Sequence, residues 1–220
     1  MDGIVKESVI LETTAVFSED QTKRYELTKE FKPFKNGKSI AVIMLNAATR
    51  KVQETDATVN NLVSRLSTGD LVYSKITILN LFPDIMPKLI PSKTDNADIN
   101  FKYIKEVLER GYDNILVGYG NSFIGNKVVE NAKYLLNDLL KDYEKILVEI
   151  NDEANSHDCS PMHPLFAAMR IKKWVLKPYR IPQVEQPSGF GGAGASLIPS
   201  QKGLKDEGMM ERNGSKKKAV

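Results

Sequence analysis

Ser39-Ile-Ala-Val-Ile-Met-Leu45 runs without a charge into Asn46, and so short a β-branched run between polar segments reads as a strand buried on both faces. Three later stretches repeat the arrangement. Ile76-Thr-Ile-Leu79 stops at Asn80, Ile115-Leu-Val117 stops at Gly118-Tyr-Gly-Asn121, and Ile146-Leu-Val-Glu-Ile150 leads into a loop carrying His157, Cys159 and His163-Pro164. Buried strands separated by helical stretches predict parallel pairing through right-handed crossovers. In such sheets ligands bind beyond the carboxyl ends of the strands, so Asn46, Asn80, Asn121 and His163 are expected around one cleft.

The helices are legible from spacing. Val59, Leu62, Val63 and Leu66 recur at helical intervals behind Asp56, whose carboxylate can cap a free amide, and predict a helix over about 56–66. A second helix is expected from Asn96 or Asp98, with Ile99, Tyr103, Val107 and Leu108 inward and an end near Gly111, and a third over about 126–140. Pro83, Pro87 and Pro91 predict a long irregular segment after Asn80, a candidate binding loop. Extended stretches over 9–17 and 22–31, around Ser18-Glu-Asp-Gln21, predict a hairpin. The fold expected is a three-layer α/β/α sandwich with a mainly parallel central sheet, preceded by an N-terminal β-hairpin. It forms a single α/β domain over 1–182, the hairpin at about 9–31 and the core at about 39–178.

Residues 183–220 have no apolar periodicity and are expected to be a flexible Gly-rich and basic tail. Gly189-Phe-Gly-Gly-Ala-Gly-Ala195 does not read as a phosphate cradle, because no helix pattern follows it in Leu197-Ile-Pro-Ser200.

The 220 residues, 41% hydrophobic and 27% charged, suit one core of ordinary globular composition. A net charge of +3, partly from Lys216-Lys-Lys218, does not by itself argue for nucleic acid. No apolar stretch approaches the roughly 20 residues of a membrane span, and Met1-Asp-Gly-Ile-Val-Lys-Glu lacks a signal-peptide pattern. The single Cys159 excludes an internal disulfide, and a cytoplasmic protein without membrane contact is expected.

Several of the strand-end residues occur in a recognisable series. Arg24-Tyr25-Glu-Leu27, Ile43-Met-Leu-Asn46, Asp56-Ala-Thr58, Asn80-Leu-Phe82, Gly118-Tyr-Gly120 and Met162-His-Pro-Leu165 resemble, in order, an uncharacterised prokaryotic and phage family, domain of unknown function 1643. The resemblance covers roughly residues 14–178; where that family usually has Asn-Pro-Ser, this chain reads Asn46-Ala47-Ala48. The same positions are distantly similar to the uracil-DNA glycosylase superfamily. That similarity implies that Asn46 holds the attacking water, Asn80 reads the base edge, the Tyr119-Gly120 turn follows the third strand, and His163-Pro164-Leu165-Phe166 is the motif whose apolar residues enter the duplex, with His163 facing the leaving group. The acidic residue and proline of the superfamily's first motif are absent.

The residue types fit the implied roles. An amide presents one acceptor and two donors in a fixed plane, suited to Asn80 meeting a Watson–Crick edge. Neutral or cationic imidazole can donate to the charge growing on a departing base. Asn46 carries no charge to stabilise a cationic sugar, so catalysis by it should be slow. Phe82 is a candidate stacking partner, although it also reads as core, Leu165 or Phe166 would line the entry, and Tyr119 and Asn121 complete the candidate base-binding or nucleotide-binding set. His157, Asp158, Cys159 and His163 do not form a recognisable metal-ligand spacing, and no feature marks Cys159 as activated. The expectation is therefore a glycosylase-like nucleobase-recognition protein, needing no cofactor, that acts on a base in nucleic acid or a nucleotide. The alternative is a non-catalytic nucleotide-binding or nucleobase-binding sensor, sponge or regulator.

Overall fold

The computed structural model describes residues 6–32, 37–49, 52, 56–94, 97–152 and 161–183. The hairpin forms as expected from β1 (Ile10–Phe17) and β2 (Arg24–Lys32), paired antiparallel. Next come β3 (Ser39–Ala47), α1 (Ala57–Leu66), β4 (Lys75–Ile85), α2 (Ala97–Leu108), β5 (Asn114–Val117), α3 (Lys127–Leu140) and β6 (Leu147–Asp152). A short α4 (Pro164–Arg170) and β7 (Trp174–Pro178), neither of them anticipated, complete the described chain.

All seven strands form one sheet in the order β1-β2-β4-β3-β5-β6-β7. It is mixed, which corrects the expectation of a mainly parallel sheet. Parallel pairing is confined to the central block β4-β3-β5-β6, while β2 and β7 run antiparallel against its two sides. The hairpin does not precede the sheet as a separate feature; it extends the sheet beyond β4.

Alternation along β3 divides the core. Ile40, Val42 and Met44 pack with Val59, Leu62 and Leu66 of α1 and Ala167 of α4. Ala41, Ile43 and Leu45 pack with Ile104, Val107 and Leu108 of α2 and Val129, Leu136 and Leu140 of α3. Both faces of the sheet therefore carry helices, which is why β3 reads as continuously apolar. Asp56 accepts from Val59 N at 2.9 Å and caps α1, and Asn126 accepts from Val128 N and Val129 N and caps α3.

Two details depart from the sequence reading. Ile99 lies 56% exposed, and the inward face of α2 is instead Asn100, Ile104, Val107 and Leu108. Asn100 turns inward because its amide donates to the backbone oxygens of Asn80 and Leu81, both at 3.0 Å. In addition, Asn80 does not end its strand. β4 continues through Pro83 to Ile85, and the irregular segment begins only at Met86. Proline has no N–H for the ladder, so the pairing shifts there, from Asn46↔Phe82 to Ala47↔Ile85. The strand is held past this break by a Lys23↔Asp84 bridge and a buried ion pair between their side chains at 2.6 Å.

Candidate functional site

The strand order reverses at β3, which has β4 on one side and β5 on the other. A crevice is expected beyond the carboxyl ends of the strands at such a reversal. Asn46 stands at that point on β3. Its Nδ2 donates to Met86 O at 2.8 Å and to Ala47 O at 3.2 Å, tying the end of β3 to the residue after β4. Its Oδ1 accepts no bond from a described residue. The amide is thus oriented by backbone, with its acceptor still available.

His163 approaches from β6. Gly118 N donates to Ile43 O at 2.9 Å, which carries the parallel β5–β3 pairing one residue past β5 before the Gly118-Tyr-Gly120 turn. The turn ends at Gly120, whose φ of +73° suits glycine, and a β-carbon there would meet the His163 Cβ at 2.9 Å. The imidazole caps α4: Nδ1 accepts from Leu165 N at 3.2 Å. An accepting Nδ1 carries no proton, so the neutral ring bears its hydrogen on Nε2. Burial lowers the pKa of His163 below 6.5, opposed by the negative charge of Asp56. The ring is therefore a neutral hydrogen-bond donor near neutral pH.

An open cleft of about 260 Å³ lies beside this ring, lined by Asn121, Ser122, Pro161, Met162, His163, Phe166 and Arg170. It is slightly below the roughly 300–1,000 Å³ usual for small-molecule sites, a scale suited to one planar heterocycle. Phe166 is 48% exposed, stands edge-on to the His163 ring at 6.4 Å, and has the Arg170 guanidinium 5.9 Å from its centroid. Leu165 is half-buried and is not among the lining residues.

Asn80 lies beneath the rim. It is 1% exposed, paired with Met44 of β3, and follows Ile76 and Ile78 toward the α1 layer. Neither its Nδ2 nor its Oδ1 has a hydrogen-bond partner. On the neighbouring strand Arg24 is 2% exposed; Nη1 donates to Thr49 O at 3.2 Å, while Nε and Nη2 have no partner. Burial lowers the Arg24 pKa and Asp56 opposes the shift. Asp56 thus influences both Arg24 and His163 from the N-cap of α1.

Two of the aromatic candidates lie elsewhere. Tyr119 is buried in the α2–α3 core, its hydroxyl 3.0 Å from that of Tyr179 and its ring beneath the Lys133 ammonium. Phe82 belongs to the same core. The cleft thus brings together Asn121, His163 and Phe166, whereas Asn46 and Asn80, on adjacent strands, and Leu165 do not line it, so the four residues expected around one cleft are not all at this one. His157, Asp158 and Cys159 lie outside the described residues, as does the tail from 184. Among the described residues no group of three or more His, Cys, Asp or Glu is arranged to hold a metal, and no helix is long and apolar enough to cross a membrane.

Residues 24–165 match a family described as a protein of unknown function, DUF1643. The chain belongs to this family. The matched region of the DUF1643 chain runs from Arg24 to Leu165, so it includes the buried arginine, both strand asparagines, Asp56 and His163. No curated protein matches the chain. Arg24, Ser122 and Arg170 had no role assigned from sequence. Arg24 alternates with Glu26, Thr28 and Glu30, a pattern that ordinarily marks a solvent face.

Proposed function

We propose that this DUF1643 protein recognises a nucleobase at the carboxyl rim, on a three-layer fold similar to that of the uracil-DNA glycosylases, and acts on an N-glycosidic bond in nucleic acid or a nucleotide. The observation that carries the reading is His163. Its Nδ1 is held by the Leu165 amide, its burial favours the neutral form, and its Nε2–H is left to donate beside a cleft of base-like size. In hydrolysis, water held by Asn46 Oδ1 attacks the sugar carbon as the carbon–nitrogen bond breaks. The bonding pair leaves with the base, whose developing charge accepts the Nε2–H hydrogen bond, and the proton lost by the attacking water passes through solvent to the released base. Asn80 would read the base edge once the base enters beneath the rim.

A specific observation also favours the non-catalytic form. Asn46 supplies no charge, and both of its donated bonds go to backbone oxygens. A protein of this kind would hold a base without cleaving its bond, as a sensor, sponge or regulator.

The test is release of free base from a panel of normal and modified nucleic acids and nucleotides, run beside a binding titration. With cleavage, Asn46→Ala keeps binding and loses release, and His163→Ala slows release by on the order of 10²-fold, as for other single donors at developing charge. Binding without release by the unaltered chain selects the non-catalytic form. Neither binding nor release refutes both.

A further inference from the structure

The guanidinium of Arg24 is a buried cation whose Nε and Nη2, carrying three of its five N–H bonds, have no partner. Nη1 is committed to Thr49 O, and the unpaired Nε and Nη2 form one edge of the group, with two N–H bonds pointing the same way. That edge is the geometry with which arginine grips two coplanar oxygens. Leaving it empty is costly, because a buried charge and its donors lose water without gaining partners. Asp56 is near enough to favour the charged form, but its Oδ1 caps α1 and no hydrogen bond joins it to Arg24.

The surroundings point the same way. Pairing of β2 with β4 is regular from Glu30↔Lys75 to Glu26↔Leu79 and resumes only at Lys23↔Asp84. Arg24 and Tyr25 therefore stand opposite Asn80 to Pro83, two residues against four, and the ladder is open at this point. Asn80, on the facing stretch of β4, is a second buried polar side chain without a partner. Lys29, further along β2, is a second buried cation, and its Nζ is bonded to the Thr13 hydroxyl instead of a carboxylate. The local set is rich in donors and positive charge, so its complement is an anion.

We infer that the Nε–Nη2 edge of Arg24 is a receptor for a two-oxygen anionic group, a phosphate or carboxylate carried by a small ligand. The site lies under the β2–β4 break and is separate from the His163 cleft, which Arg24 does not line. It does not depend on base recognition at the rim.

The experiment is thermal unfolding and calorimetric titration of the full chain with inorganic phosphate and with acetate, against sodium chloride at matched ionic strength. Saturable stabilisation by either anion is expected, weakened roughly 10-fold or more in Arg24→Lys, which keeps the charge and loses the paired bonds. In the unaltered chain, the bound anion should slow amide hydrogen exchange in β2 and β4 around Arg24 and Asn80. This reading stands even if the Arg24 variants do not fold. Equal stabilisation of Arg24→Lys and the unaltered chain, protection only elsewhere, or no effect beyond chloride overturns the inference. Uncharged nucleosides separate the two proposals: nucleoside binding without anion binding removes the Arg24 receptor and leaves base recognition, and the converse result does the opposite.

Discussion

Gly120 and His163 are packed so closely that a β-carbon on the glycine would stand 2.9 Å from the histidine Cβ. The turn after β5 and the cap of α4 are thereby fixed to one another. The donor at the rim is thus placed by the backbone of a different strand.

Replacing Gly120 by alanine should disturb both sides of that contact. The positive φ alone costs on the order of 1–2 kcal/mol for a residue with a β-carbon, and the clash with His163 adds to it. Denaturant unfolding should show a lower midpoint with unchanged slope, and ligand binding at the cleft should weaken with it. A variant that keeps both stability and binding would show that the turn does not set the position of His163.

The half-buried imidazole makes stability depend on pH with a definite sign. Its pKa is lower folded than unfolded, so the unfolded chain takes up the proton first as pH falls. The His163 contribution is complete above 6.5 and is lost progressively as pH falls from there through the folded value. Unfolding free energies of the unaltered chain and His163→Gln, measured across that interval, should converge on acidification. Parallel curves would mean that His163 is not held neutral by the fold.

Asn80 gives the opposite kind of prediction. Its amide is buried without partners, so replacing it with leucine removes a desolvation cost at similar volume. Thermal unfolding of Asn80→Leu should be unchanged or moved upward by up to about 1–3 kcal/mol, while binding of any base is lost. Destabilisation of several kcal/mol would show that the amide has a structural role.

Much of this arrangement is legible in the chain. The β3 run, the Asp56 and Asn126 caps and the hairpin follow from local pattern, and these elements form where the spacing puts them. Asn80 is harder to read, because a polar residue before a proline resembles the end of a strand. β4 continues because the Lys23–Asp84 pair secures it beyond the break, a contact between residues 61 positions apart. Ile99 misleads for a related reason: Asn100 outcompetes it for the inward face by satisfying two strand carbonyls. Arg24 gives no local sign of its burial, since an alternating charged strand normally faces water. Its side chain is held instead by a bond to Thr49 O, 25 positions along the chain, where the ladder with β4 is interrupted. The short α4 and β7 lie in a segment whose local periodicity is too brief to define them.

Tyr119 offers a check on the division between core and cleft. Removing its hydroxyl in Tyr119→Phe leaves Tyr179 without that partner in a buried setting, at a cost of about 1 kcal/mol. Binding at the cleft should be unaffected. A selective loss of base binding, with stability retained, would instead assign the ring to ligand stacking.

The central claim is that His163 meets a nucleobase as a neutral Nε2–H donor, and imidazole nitrogen NMR reads that state directly. The spectrum is recorded near neutral pH, assigned with a His157→Gln variant, and followed during titration with a panel of nucleobases and nucleosides. The account predicts a neutral ring protonated on Nε2 whose proton and nitrogen resonances shift saturably with at least one base of the panel. A ring protonated on Nδ1, a doubly protonated ring, or resonances unmoved by every base would contradict it.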